Sequence, residues 1–153
     1  MSERLINIKD MINSYVIVKG QYRSYNAHTD QKVKLMLFVF ATEIEPLSYE
    51  DNYNEIYLEG CMNKPPVYRQ TPLGREITDL ILNVPRAYGK SDRIPCVCWG
   101  KSAKYVSKLE TGDYIRVAGR VQSREYTKDG ETKTAYEVSV SLVEIVDNGQ
   151  ESA

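Results

Sequence analysis

The chain has 153 residues and a formal net charge of −1, which fits one domain with an appendage and provides no overall basic field to attract a polyanion. Its three cysteines, single histidine and lack of a CxxC pair exclude a zinc site of the usual spacing, and we expect reduced, buried thiols in a cytoplasmic protein without a cofactor. No segment approaches membrane-spanning length, so a transmembrane protein is excluded as well.

The beginning of the chain resembles a segment near its end. LINIKDMINSYVIVKGQYRSYN resembles AKYVSKLETGDYIRVAGRVQSREY, and KLMLFVFATEIE resembles AYEVSVSLVEIV with a shift of two residues. These similarities predict a partial repeat, a helix plus a β-hairpin, at residues 1–47, followed by a linker at 48–53. Identical residues at a constant offset of 99 are Tyr15, Val18, Gly20 and Ser24, which match Tyr114, Val117, Gly119 and Ser123.

The remainder of the chain predicts five strands and one helix. Runs of alternating polar and apolar residues separated by Pro, Gly and Thr clusters are typical of strands. Gly100 interrupts the pattern, and a short helix follows at 101–109 with Ala103 and Val106 on its apolar face. An Asp129-Gly130 turn predicts a hairpin between the last two strands. The predicted strands are 55–61, 75–84, 93–99, 114–124 and 134–146.

This order of elements predicts an all-β fold. Five strands with a helix between the third and fourth are the arrangement of the oligonucleotide-binding (OB) barrel. We therefore predict a complete five-stranded OB-fold domain at residues 54–147, preceded by the partial copy and followed by a short disordered tail at 148–153. Residues 54–146 contain 14 basic and 12 acidic side chains, a weak local excess of positive charge.

One face of the predicted barrel has the composition of a nucleic-acid surface. Period-two alternation places Arg93, Pro95, Val97 and Trp99 on one side of the third strand and Ile94, Cys96 and Cys98 on the core side. Arg120, Gln122, Arg124 and Tyr126 share a side of the fourth strand, provided that no bulge intervenes. Aromatic rings stack on bases and guanidinium groups contact phosphates, so the pattern favours binding of a single strand with little sequence preference.

No arrangement of residues indicates catalysis. His28 lies in a polar segment without a nucleophile or carboxylate partner, and no paired-carboxylate signature occurs. Gly100-Lys101-Ser102 matches the end of a phosphate-binding loop, but the upstream glycine is missing. We therefore expect a binding protein and not an enzyme.

The second part of the chain resembles the bacterial single-stranded DNA-binding protein family. The resemblance covers about Asn54 to Val146 and rests on NEIYLEG, PPVYRQTPLG, WGKSAKYVSKLETGDYIRVAGRVQSREYTKDG and EVSVSLVEI. It implies an oligomeric OB-fold barrel that binds single-stranded DNA in replication, recombination or repair. The family's acidic, Phe-ended carboxyl-terminal tip is not matched by DNGQESA, so recruitment of repair and replication enzymes through such a tip is doubtful.

The resemblance also implies the site. The family's base-stacking aromatic positions fall at Tyr88, Trp99 and Tyr126, and a further stacking position is Arg93 here, which retains a planar cation but loses a ring. Arg69 matches a basic position of the pattern. The predicted phosphate-contacting residues are Arg69, Arg75, Arg86, Lys90, Arg93, Lys101, Arg120, Arg124 and Lys128.

Two alternatives stay open beside this prediction. A barrel of this kind also serves as a protein-interaction module of the replication machinery with weak DNA binding, and stacking plus phosphate contacts suit single-stranded RNA equally. One barrel offers a small site, and the half-barrel would leave exposed strands, so we expect a homo-oligomer, a dimer or a tetramer.

Overall fold

The computed structural model describes residues 8–30 and 32–146. Within these residues the chain forms eight β-strands, one α-helix and two short 3-10 turns, Ile8–Met11 and Ala87–Gly89. The strands are β1 (Tyr15–Thr29), β2 (Lys32–Leu47), β3 (Ile56–Met62), β4 (Val67–Gln70), β5 (Glu76–Pro85), β6 (Ser91–Trp99), β7 (Tyr114–Lys128) and β8 (Glu131–Ile145), and the helix is α1 (Gly100–Ser107).

Strands β3 to β8 form the predicted barrel. Their order in the sheet is β3-β7-β8-β6-β5-β4, and additional pairing of β3 with β5, at Cys61↔Asn83 and Met62↔Leu82, closes it. β6 and β8 pair in parallel, whereas the other pairings are antiparallel. The all-β fold with a short helix between the third and fourth barrel strands is therefore confirmed; in the structure's labels this helix connects β6 to β7.

The structure corrects several predicted boundaries. The predicted loop between the first two barrel strands contains β4, which pairs with the edge of β5 from Val67↔Asp79 to Gln70↔Glu76. The helix ends at Ser107 and not at Leu109, because a tight turn that leads into Gly112 follows it. The last two strands extend to the Asp129-Gly130 turn, since after the bulge their register continues from Gly119↔Val140 to Lys128↔Glu131.

The core lies inside the barrel and under α1. Thr78 donates a hydrogen bond from its hydroxyl to the carbonyl oxygen of Ala103, at 2.7 Å, which ties β5 to the helix. Burial of apolar side chains in this core is the main favourable contribution to folding. The buried cluster consists of Leu58, Met62, Leu80, Leu82, Ile94, Cys96, Cys98, Ala103, Val106, Ile115, Val117, Val138 and Val140.

β1 and β2 form a separate two-stranded sheet whose register repeats that of β7 and β8. Val16 pairs with Pro46 and Gly20 with Ala41, and 99 residues later Ile115 pairs with Ile145 and Gly119 with Val140. The offset of 99 residues therefore holds on both strands of the hairpin. The two-residue shift expected for the second strand is wrong. The strand pairing keeps the same offset on both strands of the hairpin, although the local sequence similarity suggests a shift.

Both hairpins also share a bulge at the same place. The register changes between Lys19 and Gly20 and again between Ala118 and Gly119. At each bulge a hydroxyl of the partner strand donates to a carbonyl oxygen: Thr42 to Lys19 at 3.2 Å, and Ser141 to Ala118 at 3.1 Å. Bulges of this kind are built features of a strand pair, so their coincidence supports the internal repeat.

The turn that enters each hairpin is repeated as well. Asn13 and Gly112, which are 99 residues apart, both have left-handed backbone, with φ of 65° and 97°. The backbone N–H of Ser14 donates to Met11, and that of Asp113 donates to Glu110, each at 3.1 Å. The helix expected before the first hairpin is a four-residue 3-10 turn in its described part, and the rest of that prediction lies outside the described residues, as does the tail at 148–153.

The amino-terminal hairpin docks on the start of β6. The backbone N–H of Ser24 donates to a carboxylate oxygen of Asp92 at 2.9 Å, and the hydroxyl of Ser24 accepts the backbone N–H of Arg93 at 2.8 Å. Tyr22 and Leu37 pack against the barrel core beside this contact, and burial raises the pKa of the Tyr22 phenol. Ser24 and Asp92 are both buried, so the two hydrogen bonds are shielded from water.

We predict that Gly119→Ala destabilises the barrel. A Cβ at this position would overlap the carbonyl oxygen of Ser139, and overpacking of a formed core typically costs about 1–3 kcal/mol. Ser123→Ala, an exposed change on the same strand, is the control and is expected to stay within about 0.5 kcal/mol of the parent. Urea unfolding followed by Trp99 fluorescence measures the free energy of unfolding of both variants. Equal stability would contradict the close approach of Gly119 to the carbonyl oxygen of Ser139.

Candidate nucleic-acid interface

The outer side of β6 carries two of the predicted binding residues. Ile94, Cys96 and Cys98 lie in the core, as their alternation predicts. Arg93 and Trp99 are exposed on the opposite side. Val97 is the exception: it belongs to the outer set but is buried, because neighbouring strands flank it on both sides, with Asp79 and Ser139 as its register partners.

The outer side of β7 continues this surface. The bulge lies before Arg120, so the alternation from Arg120 through Arg124 to Tyr126 is not interrupted. Ser139 pairs with both Val97 and Arg120, which places the outer sides of β6, β8 and β7 on one face of the sheet. We call this surface, with Arg93, Trp99, Arg120, Arg124 and Tyr126, the barrel face.

Trp99 is partly covered by a cation. Its side chain is 36 % exposed, and the guanidinium carbon of Arg75 lies 5.3 Å from the ring centroid. Arg75 is placed there because the neighbouring Ile77 is the register partner of Trp99. A guanidinium near an exposed indole leaves part of the ring available to a base and sets a positive charge beside it.

Tyr126 stands beside a fixed arginine. Its ring is 38 % exposed, and the guanidinium carbon of Arg124 lies 5.9 Å from the ring centroid. Arg124 donates from Nε to the carboxylate of Glu137 at 2.8 Å, and Gln122 donates to the same oxygen at 3.1 Å. Glu137 is 4 % exposed, so a buried carboxylate fixes the direction in which Arg124 points.

Two other predicted arginines form ion pairs. Arg69 donates from Nε to Asp79 at 2.7 Å, and this hydrogen bond raises the pKa of its guanidinium group. Nε of Arg86 lies 2.9 Å from the buried carboxylate of Asp92, although its N–H is not directed for a hydrogen bond. Both arginines are thus partly neutralised by a neighbour, and Arg86 supports the carboxylate that holds the amino-terminal hairpin.

The other six predicted basic residues differ from Arg69, Arg86 and Arg124 in their ion pairing. Among residues 8–30 and 32–146, no ion pair involves the side chains of the remaining six basic residues, all of which are exposed. Their charges are available to an incoming polyanion without first breaking an ion pair. These residues are Arg75, Lys90, Arg93, Lys101, Arg120 and Lys128.

Tyr88 lies apart from Trp99. It is at the turn before β6, whereas Trp99 ends β6, and a strand of this length spans roughly 25 Å. Its side chain is 99 % exposed, and its φ of 67° is a left-handed conformation that is uncommon for a residue other than glycine. The structure therefore brings Trp99 and Tyr126 onto one face of the barrel but places Tyr88 at the opposite end of β6 from Trp99.

A cleft between the hairpin and the barrel contains basic residues that the sequence interpretation missed. It has a volume of about 530 Å³, and its walls include Lys34 and Met36 of the hairpin, Lys64 after β3, and Arg124 and Tyr126 of the barrel face. Lys64 follows the first barrel strand in a segment interpreted only as a loop. No local pattern indicates Lys34, because its position depends on how the hairpin docks.

The cysteines fit a structural role. Burial raises the pKa of Cys98 to about 12 and raises that of Cys96 further, so both remain neutral thiols. All three cysteines are free, and no group of three potential metal ligands occurs among the residues that the structure describes. In the same part of the chain, no helix combines the length and apolar character needed to cross a membrane.

Comparisons with known proteins agree with the fold. A family model described as the single-strand binding protein family matches residues 53–146. "Single-stranded DNA-binding protein 2" of Streptococcus agalactiae is 29 % identical over 108 residues, covering 66 % of this chain and 82 % of that protein. "Single-stranded DNA-binding protein B" of Bacillus subtilis is 27 % identical over 103 residues, covering 62 % of this chain and 91 % of that protein.

Solved structures extend the likeness in fold. A crystal structure of a deletion mutant of the single-stranded DNA binding protein from Thermus aquaticus has a TM-score of 0.73 at 23 % identity, and this likeness covers 86 % of this chain. The chain spans 60 % of the length of that protein. Because the family match ends at residue 146 and begins at 53, coverage of 86 % must include part of the amino-terminal segment.

We predict that Arg124→Ala lowers the free energy of unfolding by about 1–3 kcal/mol, because the buried carboxylate of Glu137 would keep only its hydrogen bond from Gln122. Arg120→Ala removes an arginine of the same strand that has no ion pair, and it is expected to change stability by less than about 0.5 kcal/mol. Chemical denaturation of both variants measures the difference. Equal effects would show that Glu137 does not depend on Arg124.

Proposed function

The chain belongs to the single-strand binding protein family, and from this we propose that it binds single-stranded DNA on its barrel face in bacterial DNA replication, recombination or repair. Residues 54–147 are the proposed DNA-binding domain. Its part is to hold the strand, and we assign it no catalytic step. Little dependence on sequence is expected, because every base offers a ring face for stacking.

The observation that carries this proposal is the common orientation of Trp99 and Tyr126. Both rings are partly exposed on the outer side of the same sheet, and each has a guanidinium group within 6 Å of its centroid. A strand whose bases stack on the two rings would have its phosphates close to Arg75 and Arg124. Tyr88 is proposed as a third stacking residue, contacted by a strand that continues to the far end of β6.

The charge pattern supports a strand held by its phosphates. The exposed cations without ion pairs, together with the partly paired Arg69, Arg86 and Arg124, are the proposed phosphate contacts. Since the chain as a whole is nearly neutral, this local charge is the source of attraction, and salt should weaken it by competing for the phosphates.

A homo-oligomer is part of the proposal. Val18 and Val39 of the amino-terminal hairpin correspond, at the offset of 99, to Val117 and Val138 of the barrel core. The barrel residues are at most 1 % exposed, whereas the hairpin residues are 46 % and 49 % exposed. Exposed apolar residues and free strand edges favour contact between subunits, as a dimer or a tetramer. We further expect the protein to act in the cytoplasm, where its DNA substrate occurs.

We predict that oligo-dT quenches the fluorescence of Trp99, the chain's single tryptophan. Quenching follows from stacking of a base on the exposed part of the indole, and the midpoint should shift to higher DNA concentration as salt rises. A fluorescence titration at two salt concentrations measures this, with oligo-U as a comparison for RNA. Absence of quenching at low salt would contradict DNA binding and favour a protein-interaction module.

We also predict that Trp99→Ala and Tyr126→Ala each weaken binding of oligo-dT by about fivefold to a hundredfold, the equivalent of about 1–3 kcal/mol for one stacked base. Tyr105→Ala is the control, because Tyr105 has a similar exposure but lies on α1. Fluorescence anisotropy with a labelled oligonucleotide measures all three variants. If both barrel-face variants bind as tightly as Tyr105→Ala, the barrel face is not the binding surface.

A further inference from the structure

The amino-terminal hairpin exposes a second row of aromatic and basic side chains. The register pairs Gln21 with Phe40, Arg23 with Phe38, and Tyr25 with Met36, and directly opposed residues of an antiparallel pair share a face. This face is directed away from Tyr22, Ser24 and Leu37, which contact the barrel. We call it the hairpin face; its members are Gln21, Arg23, Tyr25, Lys34, Met36, Phe38 and Phe40.

The rings of the hairpin face are exposed, and each of them contacts another side chain of the same face. Tyr25 and Phe38 meet edge to face with centroids 5.7 Å apart, and they are 52 % and 38 % exposed. The guanidinium carbon of Arg23 lies 3.9 Å above the centroid of Phe40, and Arg23 is oriented by two hydrogen bonds to Gln21, at 3.1 and 2.7 Å. Three large aromatic side chains in solvent on one strand pair are unusual unless something binds them.

The charge of this region fits a polyanion. Neither the segment 21–27 nor the segment 34–40 contains a carboxylate. Arg23 and Lys34 form no ion pair among the described residues, so both cations remain available. Rings interleaved with cations that form no ion pair are the combination that binds single strands without sequence preference.

The internal repeat relates this surface to the barrel face. Tyr25 and Phe38 occupy the positions of Arg124 and Glu137, 99 residues later. Where the barrel has an ion pair directed at a buried carboxylate, the hairpin has an exposed aromatic pair. The two outer faces are therefore the same side of the same structural unit, but the barrel presents an ion pair at these positions and the hairpin presents two aromatic rings.

The cleft connects the two surfaces. Lys34 and Met36 of the hairpin face line it, as do Arg124 and Tyr126 of the barrel face. The two carboxylates that line the cleft, Asp79 and Glu137, are paired with Arg69 and Arg124, and Lys64 also lies in its wall. A strand that leaves Tyr126 through this cleft therefore reaches the hairpin without meeting an unpaired carboxylate.

We propose that the hairpin face is a second binding surface for single-stranded DNA, on which bases stack against Tyr25, Phe38 and Phe40 while Arg23 and Lys34 contact phosphates. This inference rests on the proposed function, because it requires that the barrel face bind the same strand. A long strand would occupy the barrel face, pass through the cleft and continue along the hairpin, whereas a short one would occupy the barrel face alone.

Oligonucleotide length separates the two surfaces. One OB barrel binds about 4–16 nucleotides, so labelled oligo-dT probes of about 8 and about 30 nucleotides are compared by anisotropy at a fixed protomer concentration. The test variant is Tyr25→Ala/Phe38→Ala/Phe40→Ala. The matched control is Tyr53→Ala/Tyr57→Ala/Tyr105→Ala, which removes three exposed rings, two of which donate to the carboxylate of Glu55 and so lie beside negative charge.

The expected result is a loss of affinity for the long probe of at least about fivefold, with a correspondingly lower ratio of long-probe to short-probe affinity, in the test variant but not in the control. An unchanged ratio overturns the inference. A lower ratio accompanied by a smaller mass in sedimentation also overturns it, because the face would then be a contact between copies of the chain. If the parent protein does not bind the short probe, that result instead contradicts the proposed function itself.

A second variant tests occupancy without removing a ring. Phe40→Trp combined with Trp99→Tyr leaves a single tryptophan on the hairpin face and keeps an aromatic ring at both positions. The long probe should quench its fluorescence, whereas the short probe should quench it much less. Equal quenching by both probes, or quenching by neither, contradicts a second surface that is reached only by a longer strand.

Discussion

The parallel pairing of β6 with β8 is the constraint on which the rest of the structure depends. It is short, from Cys96↔Val138 to Cys98↔Val140, yet it joins two antiparallel units into one closed barrel. The pairing forces Cys96, Cys98 and their partners into a common core and therefore forces Trp99 and the arginines of β7 to the common outside. A parallel pair needs a crossover connection, and here α1 with the following strand supplies it while covering the core.

The two hairpins show how one local structure serves two tertiary settings. Each has the same entering turn, the same bulge and the same hydroxyl-to-carbonyl hydrogen bond. β7 pairs with β3, and β8 pairs with β6 and contacts α1, so their inward residues are buried. β1 and β2 contact the barrel through Ser24, Tyr22 and Leu37, which leaves comparable inward residues such as Val18 and Val39 exposed.

Ion pairs divide the basic residues of the barrel into two groups. Arg86 and Arg124 each contact a buried carboxylate, so their charges help to hold the fold and their orientation is set before any ligand arrives. Arg75 and Arg120 have no carboxylate partner among the described residues, and Arg75 contacts the ring of Trp99 instead. A nearly neutral chain can therefore carry exposed positive charge without ion pairs in the barrel and no excess of positive charge overall.

The sequence by itself determined the barrel, its helix, the turn at Asp129-Gly130 and the outward parity of Trp99 and Tyr126, because these depend on alternation and turn chemistry within a few residues. It did not determine β4, whose four residues form a strand only because the edge of β5 is available to pair with them. The burial of Val97, the separation of Tyr88 from Trp99, and the cleft that joins Lys34 to Tyr126 were decided by the tertiary structure alone. Each of these depends on which strands become neighbours and on where the hairpin docks, and contacts between residues far apart in sequence leave no local periodicity from which to infer them.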